Sequence, residues 1–304
     1  MGAVAWWTYS LGLPLQSPVT TEAGTFTLAD AIPEARTEAG GAVLDGRLHV
    51  AGGLGPRNQS LTSFYAYDPA ADQWERLPDV PHPVNHPGLV AAEGRIWIVG
   101  RMGPLGIRLR GFMFARWNPQ ADVLIYDPAT REWTAGPPLP EARGGGGVAV
   151  ADGAIWYVGG INDALEIADD LFRLDLATRQ WERRAPMPTA RDHLRMEAVG
   201  RQLFAISGRE DDLRLNLATT ERYDIETDTW TRVRDIPNPR GGFGSAVADG
   251  VIYTFGGEYP WTCLDVVERY DPAVDRVDLL TVVMHEFGHL LGIDDAVVGQ
   301  DSAH

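Results

Sequence analysis

The chain is poor in cysteine, in long apolar runs and in positive charge. Cys263 is its only cysteine among 304 residues, so no intrachain disulfide can form and the redox compartment is not disclosed. No stretch of 18 apolar residues occurs, and no membrane span is expected. Lys and Arg number 26 against 42 Asp and Glu, a formal net charge of −16. A surface that acidic repels phosphate backbones, so no nucleic acid is expected as a partner. Residues 1–17 lack a basic segment followed by a continuous apolar core, so no signal peptide is read there. Trp6 stands where a myristoylation signal would need Ser or Thr, and the localisation stays unknown. Asn58-Gln59-Ser60 fits a glycosylation acceptor, which carries little weight without an export signal.

Glycine and proline, by contrast, are frequent at 34 and 21 residues, and no long charged run appears, as suits a turn-rich all-β protein. Trp74, Trp133, Trp181 and Trp230 each follow Tyr67, Tyr126, Leu174 and Tyr223 by seven residues. Between them lie Asp68-Pro69-Ala70, Asp127-Pro128-Ala129, Asp175-Leu176-Ala177 and Asp224-Ile225-Glu226, turns in which Asp caps the local backbone. Strand, tight turn and strand make a hairpin. A second hairpin lies upstream of each, turned at Asp45-Gly46, Asp152-Gly153 and Asp249-Gly250, with Glu93-Gly94 and Gly200-Arg201 as variants. Each unit is thus four strands. Trp133 to Trp181 is 48 residues and Trp181 to Trp230 is 49, whereas Trp74 to Trp133 is 59 and holds an insertion. A β-sandwich does not repeat its turn chemistry at a fixed period, so a β-propeller is expected.

Arg143, Arg191 and Arg240 fall ten residues after three of the tryptophans, and Arg36 follows Phe26 by the same ten. The ordered pattern of Arg, Gly-Gly, Tyr-Asp-Pro and Trp resembles the kelch repeat over residues 24–277. Copies two and four depart from it, with Gly100-Arg101 and Gly208-Arg209 where Gly-Gly is expected. The resemblance implies an all-β kelch-type β-propeller of five blades, six being the alternative, with loops that form a binding face. Thr25 to Leu28 mimics the Trp strand, and residues 240–271 supply three strands, with Val277 in place of the next Trp. The N-terminal strand is therefore expected to complete the last blade and hide the open edges. Residues 1–23 are an N-terminal extension.

After Val277 the period-2 pattern ends. Residues 278–292 read as a helix, with Asp278 as N-cap and Gly292 as stop. His285 and His289 are four apart, on one helical face, where two imidazoles can hold one Zn²⁺. Glu286 beside them could take a proton from a zinc-bound water, and Asp295 beyond Gly292 offers a third ligand. This H-E-x-x-H-x-x-G-x-x-D string, in residues 278–304, resembles the active-site helix of the metzincin zinc metallopeptidases. The resemblance implies an endopeptidase with Glu286 as general base. The chain shows no Met-containing turn after the motif, and strands occupy the place of a substrate-binding sheet. A short helix packed by Leu279, Leu280, Val283, Phe287 and Leu291, with incidental histidines, is the structural alternative.

Two further groups stand out. The insertion from Met102 to Gln120 holds Arg108, Arg110 and Arg116 with Phe112, Phe114 and Trp117 and no acid, a contact site for an anionic or peptide partner or else a lid. Arg36, Arg143, Arg191 and Arg240 lie at matching points of successive blades and either line a binding mouth or tie adjacent blades to backbone carbonyls. The functional expectation is an interaction module that binds a protein or glycan through its loop face and carries a zinc-binding, metallopeptidase-like C-terminal motif. The alternative is an active zinc-dependent metalloendopeptidase.

Overall fold

The computed structural model describes residues 19–21, 24–26, 29–104, 108–110, 113–115, 118–210, 215–259, 262–264 and 266–280. The Asp-Gly turns set its architecture. Asp45 and Gly46 have φ of 50° and 74°, and Asp152–Gly153 and Asp249–Gly250 repeat that left-handed pair. A two-residue turn of this kind matches the twist of the strands it joins, so each closes a tight hairpin. The second hairpin of each unit turns at an aspartate whose carboxylate accepts backbone N–H groups two or three residues on. Asp68 accepts from Ala70 and Ala71, Asp175 from Ala177 and Thr178, and Asp224 from Glu226 and Thr227.

Five four-stranded antiparallel blades result, and a sixth four-stranded sheet, of two-residue strands, lies outside them. Blade one is Gly40–Leu44, Arg47–Ala51, Phe64–Asp68 and Gln73–Leu77. Blade two is Gly88–Ala92, Arg95–Val99, Val123–Asp127 and Glu132–Gly136. Blade three is Gly147–Ala151, Ala154–Val158, Leu171–Asp175 and Trp181–Arg184. Blade four is Arg195–Val199, Gln202–Ile206, Thr220–Asp224 and Thr229–Arg232. Blade five is Gly244–Ala248, Val251–Phe255, Val267–Asp271 and Arg276–Leu280. The first strands of successive blades lie against one another, around the propeller axis.

The core is divided among the blade interfaces. Phe64, Ile96 and Tyr126 pack between blades one and two; Trp97, Tyr157 and Phe172 between two and three. Trp156, Leu203 and Tyr223 fill the next interface, and Phe204, Phe243 and Tyr270 the last. The tryptophans also stitch neighbours. Trp133, Trp181 and Trp230 each donate Nε1–H to a carbonyl of the preceding blade's exit segment, Pro78, Pro137 and Ala185, at 2.8–3.0 Å.

Closure departs from expectation. The last blade already holds four strands of its own, because Arg276–Leu280 pairs with Val267–Asp271 and sets Val277 opposite Tyr270. That is the register in which Trp230 faces Tyr223, so the fourth-strand place expected for the N-terminal strand is already filled. Gly24–Phe26 pairs instead with Val19–Thr21, and Val19 faces Phe26 across the same seven-residue interval. Trp74 donates to the Asp30 carbonyl at 2.7 Å, as the other tryptophans do to their preceding blades. Residues 19–21, 24–26 and 29–30 therefore occupy the place of the outer half of a blade before blade one. On that side the first strands are open, with Val43 64% and Val247 38% exposed.

The same strand corrects the C-terminal helix. Asp278, expected as its N-cap, faces Arg269 in the ladder, and Leu279 and Leu280 face Glu268 and Val267. The described residues contain no α-helix, and none that could cross a membrane. Residues 281–304, with the remainder of the expected helix, lie outside the described residues.

Candidate functional site

The four repeat arginines are buried within the blades. Arg191 and Arg240 are wholly inaccessible, and Arg36 and Arg143 nearly so. Arg36 donates to the carbonyls of Gly52 and Ser63, and Arg191 donates to the Ala205 carbonyl at 2.9 Å and pairs with Glu221 at 2.5 Å. Arg240 bonds the Gly256 carbonyl at 2.8 Å and pairs with Glu268, and Arg143 pairs with Asp170 and Glu141. Each guanidinium anchors the incoming loop to its own blade, rather than bridging two blades. Burial lowers the pKa of Arg36, Arg191 and Arg240, and the acids opposite counter that for all three.

Two residues beyond those arginines, and beyond Val84 at the matching place of blade two, the loops reach the axis. Glu38, His86, Gly145, His193 and Gly242 hold equivalent positions, all left-handed, with φ of 51°, 50°, 70°, 51° and 57°. A chain of backbone hydrogen bonds joins them in order. His86 N–H donates to the Glu38 carbonyl, Gly145 to His86, His193 to Gly145 and Gly242 to His193, at 2.6–3.4 Å. A left-handed backbone costs a non-glycine residue about 1–2 kcal/mol, so the three side chains there are held against local preference. They line a depression at the mouth of the axis with Ala39, Gly145, Gly146, Arg195 and Gly242.

His86 Nε2 lies 3.2 Å from Glu38 Oε2, and the His86 and His193 rings meet edge to face at 4.8 Å. His86 Nδ1 is 2.6 Å from Asn85 Oδ1. Asn85 Nδ2 donates to Ser60 Oγ and to the Gly103 carbonyl, which fixes its Oδ1 toward the ring. His193 Nδ1 lies 3.0 Å from Asp192 Oδ2, and its Nε2 is 2.6 Å from Arg209 Nη2. Arg209 also pairs with Glu258 at 2.9 Å and Asp192 at 3.4 Å. Burial, then the neighbouring His193 and Arg209, holds the His86 pKa well below its ordinary value. Burial raises Glu258, with the Glu38 charge adding to it. Asp192 is likewise pushed up by burial, but His193 and Arg209 outweigh that and its pKa is lowered. Glu38, His86 and His193 each bring one ligand atom within 4.8 Å of the others, a set that could hold a metal ion.

None of these channel residues was a sequence candidate. In copy four the glycine pair is Ser207-Gly208, with φ of 52° and 97°, and not Gly208-Arg209. A Cβ on Gly208 would lie 2.6 Å from the Asp192 carbonyl, so this is the position that demands glycine. Arg209 then falls one place later, matching Glu258 of blade five, and the two form their ion pair across the loops.

The insertion in blade two stands outside the blade ladders. Among the described residues, Arg108–Arg110 pairs only with Met113–Ala115, as a separate two-stranded hairpin. Arg116 and Trp117 lie outside the described residues, as do Glu286 and the expected zinc ligands His285, His289 and Asp295. Cys263 is exposed.

Comparison with known proteins places this geometry in a family. Residues 15–187 match the KLHDC2/KLHL20/DRC7 Kelch-repeats domain, and residues 190–237 and 239–276 each match the Kelch motif. The chain is 28% identical to the Kelch-like protein terF of Aspergillus terreus, over 80% of this chain and 56% of that protein. It is 26% identical to mouse Kelch-like protein 25, over 83% of this chain and 42% of the relative. Beta-scruin of Limulus polyphemus is 25% identical over 68% of this chain and 22% of its own length. The chain thus spans 22–56% of these relatives. The solved structure of YjhT superposes with a TM-score of 0.71 at 15% identity, over 87% of this chain and 90% of that one, a likeness of fold.

Proposed function

From the premise that this chain belongs to the kelch-repeat family, we propose that it is a protein-interaction module that captures an acidic peptide segment on its loop face. Kelch domains generally mediate protein–protein contacts, and the five-bladed scaffold offers one face of short turns and one of longer loops. The loop face is knitted into a platform: Arg101–Met102, Pro119–Gln120, Arg143–Gly144 and Ile161–Asn162 form a small sheet across blades two and three. The observation that carries the reading is the insertion hairpin, paired apart from the blade ladders, whose strands include Arg108 and Arg110, with Arg116 next in the sequence and no acid in the insertion. In a chain of net charge −16 it is a local basic segment, suited to carboxylates on a protein partner rather than to a neutral glycan.

An array of acidic peptides probed with the full chain tests this. Reversing Arg108, Arg110 and Arg116 to Glu is expected to lower peptide binding by at least about tenfold and to flatten its salt dependence. Unchanged binding by the triple variant overturns the reading. A second reading, zinc held by His285, His289 and Asp295 with Glu286 as base, is supported by the order and spacing of those residues. Zinc content of the chain with and without His285→Ala/His289→Ala tests the site, and a peptide digest with Glu286→Ala tests the base.

A further inference from the structure

We propose that the open seam between blades five and one is a docking slot for a β-hairpin of a partner protein, apolar toward both walls and carrying an Arg or Lys at its turn. The slot is separate from the blade-two insertion and does not depend on the peptide-binding reading.

Register shows what the seam lacks. In the second strand of blades two to four, the second and fourth residues face the preceding blade, and the third and fifth face the following one. The second residue is Ile96, Ile155, Leu203 and Ile252 in blades two to five, and each is fully buried. Its counterpart in blade one, Leu48, is 37% exposed. On the opposite wall, Tyr253 and Phe255 of blade five are half-buried, whereas Trp156 and Val158 at the same places in blade three are buried. Ala246 and Ala248 are exposed where Ala149 and Ala151 are buried. Both walls are therefore apolar blade faces without the inner strands that cover such faces elsewhere.

The backbone of the half blade supplies a third side. Val19–Thr21 and Gly24–Phe26 stand at the third- and fourth-strand places and form a sheet of two. Inside the ring, a third strand also pairs with the second, as Thr220–Asp224 does with Gln202–Ile206. Among the described residues Val19–Thr21 has no such partner, and an unpaired edge is a template for strand addition. Two strands and their turn complete the four, so the shape that fits is a hairpin.

Charge narrows which hairpin. At three blade interfaces an acid of one blade meets an arginine of the next: Glu75 with Arg131 at 2.8 Å, Glu93 with Arg179 at 2.5 Å and Asp152 with Arg201 at 3.3 Å. Asp152 and Arg201 lie in the inner-hairpin turns of blades three and four. Asp249 is the counterpart of Asp152 in blade five; it is exposed, and among the described residues no cation pairs with it. A hairpin with a basic turn residue, placed as Arg201 is in blade four, restores the pair. Residues 1–18 and 281–304 contain no Lys, no Arg and no Asp-Gly pair, so their chemistry does not match. The inner hairpins of all five blades are already paired within their own sheets, so a second copy would have to break a blade to offer one. A hairpin from another protein meets every requirement.

The probe is a labelled synthetic peptide with the sequence of residues 194–207, which spans the inner hairpin of blade four and includes Arg201. Titrated with the full chain, it is expected to bind one to one. Leu48→Asp and Asp249→Lys should each weaken binding by at least about tenfold, and both positions are exposed, so both variants fold. A peptide with Arg201→Glu should bind the parent chain at least about tenfold more weakly and regain affinity for the Asp249→Lys chain. No binding, or binding unchanged by both Leu48→Asp and Asp249→Lys, overturns the proposal. A dimer of the free chain that Leu48→Asp dissociates gives the slot to a second copy. Exchange protection at residues 281–304 that the same substitution removes gives it to the chain's own end. Either result also overturns the proposal. Reversal of Arg108, Arg110 and Arg116 leaves binding of this probe unchanged, so the two readings fail separately.

Discussion

The Arg240 guanidinium and the Glu268 carboxylate lie 2.9 Å apart with both side chains out of contact with water. Glu268 also accepts from the Asn238 backbone and side chain, at 2.9 and 2.7 Å, so the pair fixes the loop that leads to blade five. Arg240→Met leaves a buried carboxylate without its counter-charge, which costs about 3–5 kcal/mol. Replacing both, as Arg240→Met/Glu268→Met, is expected to cost less than Arg240→Met alone. Urea unfolding of the two variants decides it; a double variant less stable than the single would show that the ion pair is not the unit.

Glu197 gives a pH dependence whose sign is fixed by burial. Its carboxyl accepts from Ser245 Oγ at 2.5 Å. Burial raises its pKa above 4.5, against the pull of Ser245 and Arg195. Between 4.5 and that raised value the folded chain keeps a proton that the unfolded chain has released. Stability from this group is therefore lost as pH rises through the window. Glu197→Gln should remove that part of the slope, so its urea midpoint relative to the parent rises from pH 4.5 to pH 7. A constant difference across that range would reject the assignment.

Tyr157 is fully buried and its hydroxyl accepts the Gly146 N–H at 3.1 Å, beside the depression at the mouth of the axis. Burial pushes its pKa up, so it stays a neutral phenol. Tyr157→Phe leaves that amide without an acceptor, at a cost of about 1–3 kcal/mol. Faster hydrogen exchange at Gly146 than at Ala149, in the middle of a ladder, is the expected signature.

The blades were legible in the sequence because their information is local. Asp-Gly turns and the Tyr-to-Trp interval each specify a hairpin within about ten residues, and five copies repeat them. The fourth strand of blade five was not. Val277 replaces the Trp that marks the strand elsewhere, and Leu279-Leu280 interrupts the alternation, so the segment read as helix from Asp278. Register pairing with Val267–Asp271 is a tertiary fact that no short window holds. The channel site was hidden for another reason. Left-handed positions follow no hydrophobic period, and with glycine at two of five copies, Glu38, His86 and His193 do not look equivalent until the loops are superposed. Aligning on φ rather than on Gly-Gly would have found them.

The half blade before blade one makes the last prediction. Residues 29–30 meet blade one through two bonds: Asp30 N–H to Asp72 Oδ1 and Trp74 Nε1–H to the Asp30 carbonyl, each 2.7 Å. Both recur at Ala185, where Asp228 and Trp230 perform the same two roles inside the ring. At Ala185 a packed core backs them, and its loss of one bond is shared by many contacts. At Asp30 the segment is exposed, so one bond is a larger part of what holds it. A hydrogen bond contributes about 0.5–1.5 kcal/mol net, enough to change local opening up to about tenfold. Trp74→Phe should therefore speed amide exchange at Asp30 by several-fold while leaving blade three unchanged, and Trp230→Phe should lower global stability instead. Exchange at Asp30 that ignores Trp74→Phe would mean that the N-terminal hairpin is held to blade one by something other than this repeat contact.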